Sequence, residues 1–589
     1  MTDSELALGQ PMTDAGTWWL KGAWLELGIG TALLKVIETA RHASQSQADA
    51  PPLRILTHTS EVLVRKNETL AFLPLFENMT RPRHLDSSDD DGLGGLSETS
   101  QVYRAVTMER YLSDLTRLRI AARLGQALAR CYWQAWYQPG DIPDAHVFYV
   151  DMHDKVIWTN KPSPVGFVSA LHEVRACLKQ TFVHGRGGHA LFCLTYAADV
   201  HLNEVVVAVA QALEQAIGRP LIQIIVTDRE GLSVEVIRTL ALKNKGFVTL
   251  LKSNQYSREA DFMRRGRFRQ IKDRRTGQTT HRVADADFQL APDLGVRAAL
   301  LYDLEHPEHL ISLITTVSRQ QEPDIRRGVG WYLARWNAQE NSFRALIAFV
   351  RLDTNFGLRA KRSVPDRRVA KQLTDLTNHL RAVTHTLESK VAQLAEQARR
   401  MEKYTARHDQ QLTKLLRPPR RGGAQAAGRA AKRQQQLHDQ RERHQRRLLK
   451  QVVRQATLER EIESHRQEQT RVAQELTQLN PQATFFEGDT EKDQSVAPLR
   501  IALHNSALWA RDHYFGADYR HATPLTLWRT FFNQDAFYRE TPDRIVITLK
   551  PFSNAHVQQE AVAACQRFNQ RRISTHSGKL IEMRVAKSI

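Results

Sequence analysis

Apolar and polar positions recur with more than one period along the chain, and the places where the period changes divide it into four blocks. Up to about residue 143 the period is mostly helical, broken by the polar, acidic and Gly-rich stretch Asp86 to Gly95, which predicts an exposed loop. Leu96 to Val106 then supplies an N-cap and a short helix bearing Tyr103 and Arg104, and a longer helix is expected from about Thr107 to Tyr137. Two readings fit the short helix. It is the second helix of a helix-turn-helix, able to enter a major groove, or one member of an ordinary helical subdomain.

From about Asp144 the pattern becomes that of buried strands alternating with helices. Val147 to Asp151 is an apolar strand ending in an acid, with Val156-Ile157-Trp158 as its expected hairpin partner. Ala190 to Tyr196 reads as a third strand, Asn203 to Ile217 as an amphipathic helix, and Leu221 to Asp228 as a fourth strand, again ended by an acid. A helix over Leu232 to Leu242 and a strand over Phe247 to Leu251 complete the run. Three antiparallel strands followed by helix, strand, helix, strand is the order of the ribonuclease H-like fold. Arg-rich, strand-leaning sequence at about 257–325, with a turn at Arg274-Arg275-Thr276-Gly277, reads as an inserted β subdomain, after which a helix from Gly328 to Val350 carries a third acid, Glu340.

Beyond it the period turns strictly heptad. Leu373, Leu376, Leu380, Val383, Leu387, Val391, Leu394, Ala398 and Met401 form a seam, Arg417-Pro418-Pro419-Arg420-Arg421-Gly422-Gly423 forbids a continuous helix, and a second polar helix runs to Asn480-Pro481. Two helices of similar length, each ~75 Å long at 1.5 Å per residue, are expected to fold back as an antiparallel hairpin. The last block alternates helical stretches with the short strands Arg544 to Leu549 and Glu582 to Val585. The expected fold class is α/β: a helical N-terminal domain (1–143), with DNA binding as a candidate role; a ribonuclease H-like catalytic domain (144–356) with a β insertion; a basic antiparallel coiled-coil hairpin (357–482); and a small α/β C-terminal domain (483–589).

Composition adds a partner. At 589 residues, 42% hydrophobic and 25% charged, the chain is too long for one core and too apolar for disorder. Its net charge of +19 points to a polyanion or an acidic surface. Between Arg359 and Asn480 there are 28 basic and 13 acidic residues, so the hairpin holds most of that excess, and its tip (Arg417, Arg420, Arg421) is expected to contact phosphates. Cys131, Cys177, Cys193 and Cys565 are isolated, which argues against a disulfide scaffold or zinc ribbon and fits a reducing compartment. No apolar run reaches the ~18 residues that span a bilayer, and the first residues are acidic where a secretory signal is basic, so a cytoplasmic protein is expected.

Three acids carry the candidate chemistry. Asp151 and Asp228 each close an apolar strand, where side chains of an open α/β sheet project into a crevice, although a lone Asp there is commonly a loop cap. Helical spacing stacks Tyr332, Trp336, Glu340, Phe343 and Ile347 on one face, and a carboxylate inside an aromatic stripe is costly to bury without a cation. That cation is either Arg335, as a structural ion pair, or a metal shared with Asp151 and Asp228.

The strand-end Asp151 and Asp228, the β-rich insertion, and a helix with Tyr332, Arg335 and Glu340 in a Tyr-x-x-Arg…Glu-Asn-x-Phe-Arg arrangement resemble the DDE transposases of bacterial insertion sequences, in the group with a β insertion before the last acid. The resemblance covers roughly residues 95–350, and also takes in Tyr103-Arg104, the polar run His153 to Asn160 and His184-Gly185-Arg186-Gly187-Gly188. It departs from the family in three ways. Four residues instead of three separate Arg335 from Glu340, with Gln339 in the family's slot; Arg344 stands in for a downstream Lys; and the long basic hairpin is not a general family feature. The resemblance implies a transposase that cleaves transposon ends and transfers strands by phosphoryl transfer. Asp151, Asp228 and Glu340 would hold two Mg²⁺ ions, with Mn²⁺ able to replace them, and Tyr332, Arg335, Arg344 and Lys252 are candidates for DNA contact. It further implies double-stranded DNA partners (inverted repeats and target), a homodimer in the active complex, and a place in the bacterial nucleoid. For Lys252 a solvent-facing strand end is the plainer reading, and for His153, Asp154 and His184 local hydrogen bonding, since no zinc-ligand spacing is present. The alternatives are a domesticated, non-catalytic DNA-binding or architectural protein, and a nuclease of the same fold without strand transfer.

Overall fold

The computed structural model describes residues 9–45, 53–77, 105–138, 140, 142–252, 254–256, 258–272, 277–306, 308–354, 358–365, 367–417, 426–480 and 484–586. The expected loop Asp86 to Gly95, the Tyr103-Arg104 segment, the Arg274 to Thr276 turn and the tip residues Arg420 and Arg421 lie outside these. The protein is mixed α/β, in two compact units: Met1–Ala360 with Glu487–Ile589, and Lys361–Phe486. Among the described residues no helix is long and apolar enough to cross a membrane.

The first unit opens with strand β1 (Gln10–Met12) and helices α1 (Thr17–Glu26), α2 (Ile29–Gln45), α3 (Ser60–Glu77), α4 (Ala105–Arg117) and α5 (Ala121–Tyr132). The single helix expected over Thr107 to Tyr137 is interrupted. Arg119 adopts a left-handed φ of 51°, which ends one helix before Ile120 caps the next, and after Tyr132 the chain widens into a π turn.

The sheet is built from β2 (Val147–Val156), β3 (Val165–Val168), β4 (Glu173–Gly185), β5 (Ala190–Ala197), β6 (Ile224–Val226) and β7 (Gly246–Leu250), with α6 (Leu202–Ile217) before β6 and α7 (Val234–Leu242) before β7. Its centre is β2, antiparallel to β4 and parallel to β6, which is in turn parallel to β7; β5 lies beyond β4. Val156 is not the start of a hairpin partner, because β2 runs unbroken through Asp151 to it and pairs with β4. Polar residues disguised that continuation. Lys155 looks solvent-facing in sequence, yet it is only 1% exposed because Asp493 neutralises it in the core.

The insertion is not a detached subdomain. Its strands β8 (Met263–Arg264), β9 (Arg269–Lys272), β10 (Thr279–Ala291), β11 (Leu294–Asp303) and β12 (Leu310–Thr315) continue the same sheet, since β12 pairs antiparallel with β7, giving 11 strands in all. The helix expected over Gly328 to Val350 is two, α8 (Ile325–Leu333) and α9 (Asn341–Val350), joined through a π turn at Trp336–Glu340.

The second unit holds α10 (Arg367–Leu416) and α11 (Ala426–Gln478), packed against each other, and most of the paired strands β13 (Leu358–Pro365) and β14 (Thr484–Gly488), whose outer residues belong to the first unit. Val383, Leu458, Ile462 and Val472 are buried in its seam, whereas Leu380 and Leu387 are half-buried. Val391 and Ala398, expected in the seam, face outward. Lys390 and Gln397 take those positions, because Lys390 reaches Glu461 across the seam at 2.7 Å and Gln397 donates to the Gln451 carbonyl at 2.9 Å. At the tip end Arg433 donates to the Arg417 carbonyl at 3.1 Å, and the Arg417 side chain is exposed.

The C-terminal segment is no appendage to the first unit. Helix α12 (Thr490–His513) runs through its middle, buried at every residue from Asp493 to Ala510 by α1, α3, α4, α5, α9 and β5. Its side chains cap part of the unpaired edge of β5: Gln494 accepts from Thr195 N (2.6 Å) and donates to Cys193 O (3.0 Å), and Asn505 donates to Ala190 O (2.8 Å). The chain's two ends also meet. β1 pairs with β15 (Ala536–Glu540) in a four-stranded sheet completed by β16 (Arg544–Leu549) and β17 (Leu580–Val585), and Trp19 packs on Phe515, Phe531 and Phe532.

Candidate active site

Backbone register brings the first two acids together. In the parallel pair β2–β6, Tyr149 stands opposite Val226, where β6 ends. Asp151 and Asp228 therefore occupy matched positions two residues further on, on strands spaced about 4.8 Å apart. Each is pinned. The Asp228 carbonyl accepts from the Thr227 (2.9 Å) and Thr249 (2.6 Å) hydroxyls, and its carboxylate caps the following turn by accepting from Glu230 N at 2.9 Å. Asp151 Oδ1 accepts from Met152 N at 2.9 Å.

The π turn brings the third. Asn341 N donates to Trp336 O, an i→i+5 bond that absorbs one extra residue, so Glu340 takes the place that the fourth residue after Arg335 would hold in an α-helix. The one-residue departure seen in the sequence is thereby undone in space. Gln339 turns inward and is fully buried, its amide without a hydrogen-bond partner among the described residues. Glu340 faces Arg335, whose Nη2 lies 3.1 Å from Glu340 Oε1 while Nη1 donates to Asp151 Oδ2 at 3.1 Å. One guanidinium reaching both carboxylates keeps them within about 8 Å of each other. The Tyr332 ring lies 5.8 Å from the Arg335 guanidinium carbon.

One guanidinium does not offset three acids. Burial, then the neighbouring Asp228, push the Asp151 carboxyl up to about 8 against the pull of Arg335. Arg335 itself, despite burial, is held above its usual value by Asp151, Tyr332, Glu340 and Asp228. A carboxyl whose pKa is raised by folding contributes most below its unfolded value near 4, and that contribution is lost as pH rises through about 8. Asp151→Asn should therefore leave stability at pH 5 little changed and raise it at pH 9, by on the order of 2 kcal/mol. Urea melts across that range check the sign, and a stability loss at pH 9 would contradict it.

The remaining predicted residues are dispersed. Arg344 is exposed and stacks on Trp336, itself 53% exposed, at 5.0 Å, so it covers that ring and does not approach the acids. Lys252 is exposed past the end of β7, and its ammonium has no partner among the described residues. Asp154 makes the expected local bonds, to Lys179 and to Ser169 N. His153 and His184 do not. Both pack on Phe343, with His153 Nε2 and both His184 ring nitrogens unpartnered among the described residues, and burial drives them down to about 4 and about 3. Two contributors escaped the sequence reading. Glu230 sits beside Asp228 in the capped turn, and Tyr149 ties β2 to α8 by donating to Trp331 O (3.2 Å) while accepting from Arg186 (2.6 Å). Only the Asp-x-Glu spacing after a strand signalled the first, and nothing signalled the second.

Three carboxylates with one guanidinium among them are a hard, under-neutralised oxygen set, which suits a divalent ion such as Mg²⁺ or Mn²⁺. Among the described residues no group of three or more His, Cys, Asp or Glu is drawn together as closely as an ion requires, and Arg335 is lodged between two of the three acids. Comparison with family models and with curated proteins returns no match.

Proposed function

We propose that the chain is a DNA transposase of the DDE type, with a ribonuclease H-like catalytic core formed by β5-β4-β2-β6-β7 and the helices around them. The observation that carries this reading is the arrangement of the three acids, with Asp151 on β2, Asp228 just past the end of the adjacent parallel β6, and Glu340 in the π turn, Arg335 pairing with Asp151 and Glu340. Divalent ions bound there would supply Lewis-acid activation of a water or 3′-hydroxyl and stabilise the leaving oxygen of an in-line displacement. The chain's own part is to hold the acids in register through β2, β6 and the π turn, and to offer Arg335 and Tyr332 to a DNA phosphate. The DNA partners would be the element's inverted repeats and its target, and the active complex a homodimer. The test is incubation of the full-length protein with the inverted repeats flanking its own gene, with and without Mg²⁺. Ion-dependent cleavage followed by strand transfer supports the reading, whereas cleavage without joining favours a nuclease.

One observation favours the alternative of a non-catalytic DNA-binding protein: Arg335 already pairs with two of the acids. Such a protein would retard duplex DNA and leave it uncut.

The arm's charge supports DNA binding without sequence reading. Replacing Arg417, Arg420 and Arg421 with Ala should flatten the slope of log affinity against log salt by about one unit for each phosphate that is no longer neutralised, equally on cognate-end and random duplexes. An unchanged slope would make the tip a solvated turn.

A further inference from the structure

We propose that duplex DNA lies along one flank of the hairpin, where Arg400, Arg407, Arg447 and Arg454 form a ladder of guanidiniums supplied alternately by α10 and α11. This rests on the DNA-binding reading above and deepens it: the shaft of the arm carries phosphate contacts as well as its tip, and only one of its two flanks does so.

The heptad register sets the ladder. The four arginines stand one residue before the seam residues Met401, His408, Leu448 and Gln455, seven residues apart on each helix, and all four are exposed. His379 and Glu468 hold the same heptad place, whole heptads away, and they meet across the seam at 3.4 Å, which puts this place of both helices on one flank. Cross-seam contacts give the level of each rung. Lys390 reaches Glu461, Gln397 reaches Gln451, Tyr404 carries Arg447, and His408 stacks on His444 at 3.6 Å, so the order toward the tip is Arg454, Arg400, Arg447, Arg407. Successive rungs are then ~5 Å apart along the axis and the row is ~15 Å long, at ~1.5 Å per residue. That length of duplex passes about four phosphates of one strand. The matching places on the other flank are Val391, Ala398, Thr405, Gln445, Val452 and Glu459, none of them basic. The rungs are also free to bind. Arg407 and Arg454 have no side-chain partner among the described residues. Arg400 pairs with exposed Glu396 at 2.8 Å, a contact that a phosphate displaces at little cost. Arg447 lies over the Tyr404 ring at 4.4 Å, which fixes the guanidinium while leaving the N–H groups at its edge for a phosphate.

The test is binding of a random duplex by the full-length protein across a salt series. One variant combines Arg400→Gln, Arg407→Gln, Arg447→Gln and Arg454→Gln. A control combines Arg381→Gln, Arg399→Gln, Arg460→Gln and Arg466→Gln, which removes the same charge from exposed positions off the ladder. Gln keeps the helix propensity of Arg in both. The ladder variant should bind at least tenfold more weakly than the control at ~0.15 M salt, and its slope of log affinity against log salt should flatten by about three to four units, against less than about one for the control. If the fourfold variant does not fold, the pairs Arg400/Arg407 and Arg447/Arg454, each changed to Gln, decide, with about two units expected from each. Equal effects of ladder and control would mean that the arm's charge acts as a diffuse field, and would overturn the ladder. Binding by the ladder variant at the wild-type level would overturn it too. Both outcomes leave the DNA-binding reading standing, whereas failure of the wild type to retard duplex DNA at low salt overturns both.

Discussion

Changing Asp151, Asp228 or Glu340 singly to its amide should abolish ion-dependent DNA cleavage, by at least about three orders of magnitude, while duplex affinity stays within about twofold of wild type. Each amide keeps the shape of the side chain and much of its hydrogen bonding, including the cap of Asp228 on Glu230 N. What it removes is a negative charge and an oxygen ligand. DNA affinity would be carried instead by the basic arm, so the two activities should separate. The π turn sharpens the Glu340 case. Deleting Gln339 should restore an unbroken α-helix and keep Glu340 beside Arg335, so the deletion should retain cleavage that Glu340→Gln loses. Cleavage surviving in Glu340→Gln, or a parallel loss of DNA binding in all three amide variants, would remove these acids from the chemistry.

The largest effect on stability is expected from Asp493. Its carboxylate, fully buried on α12, pairs with Lys155 on β2 and accepts from Gln180 at 2.6 Å. Asp493→Ala leaves the Lys155 ammonium uncompensated in the core, which costs about 3–5 kcal/mol. Burial alone already lowers the Lys155 pKa, and without Asp493 the lysine would shed its proton in order to stay folded. A double change, Lys155→Met with Asp493→Leu, should regain most of the loss, because it removes both charges at similar volume. Chemical denaturation of the three variants measures this. A loss below about 1 kcal/mol in the single variant would show that the pair is solvated in solution. The same experiment tests whether residues after Glu487 belong to the core of the first unit, since a detached C-terminal domain would leave β2 indifferent to Asp493.

Sequence alone determined the elements whose signals are local. The apolar runs before Asp151 and Asp228 are indeed buried strand at Val147–Val150 and Ile224–Val226, but only Asp228 lies past a strand end, since β2 continues through Asp151 to Val156. The heptad period and the Pro-Gly break mark two long helices because both effects act within a few residues. Tertiary structure decided what depends on distant partners. Lys155 and Gln180 look like surface residues and are buried, because Asp493, hundreds of residues away, compensates both, and His153 is half-buried by packing on Phe343. In the hairpin Lys390, half-buried and paired with Glu461, turns toward the other helix where Val391 was expected, and Val391 is exposed, which no single-helix pattern records. The position of Glu340 was likewise undecided, since counting residues along an ideal helix puts Gln339 in its place. The register of β2 against β6 and the wide turn after Arg335 are cooperative properties of the packed chain; the first sets Asp151 beside Asp228 and the second brings Glu340 to the guanidinium that pairs with Asp151.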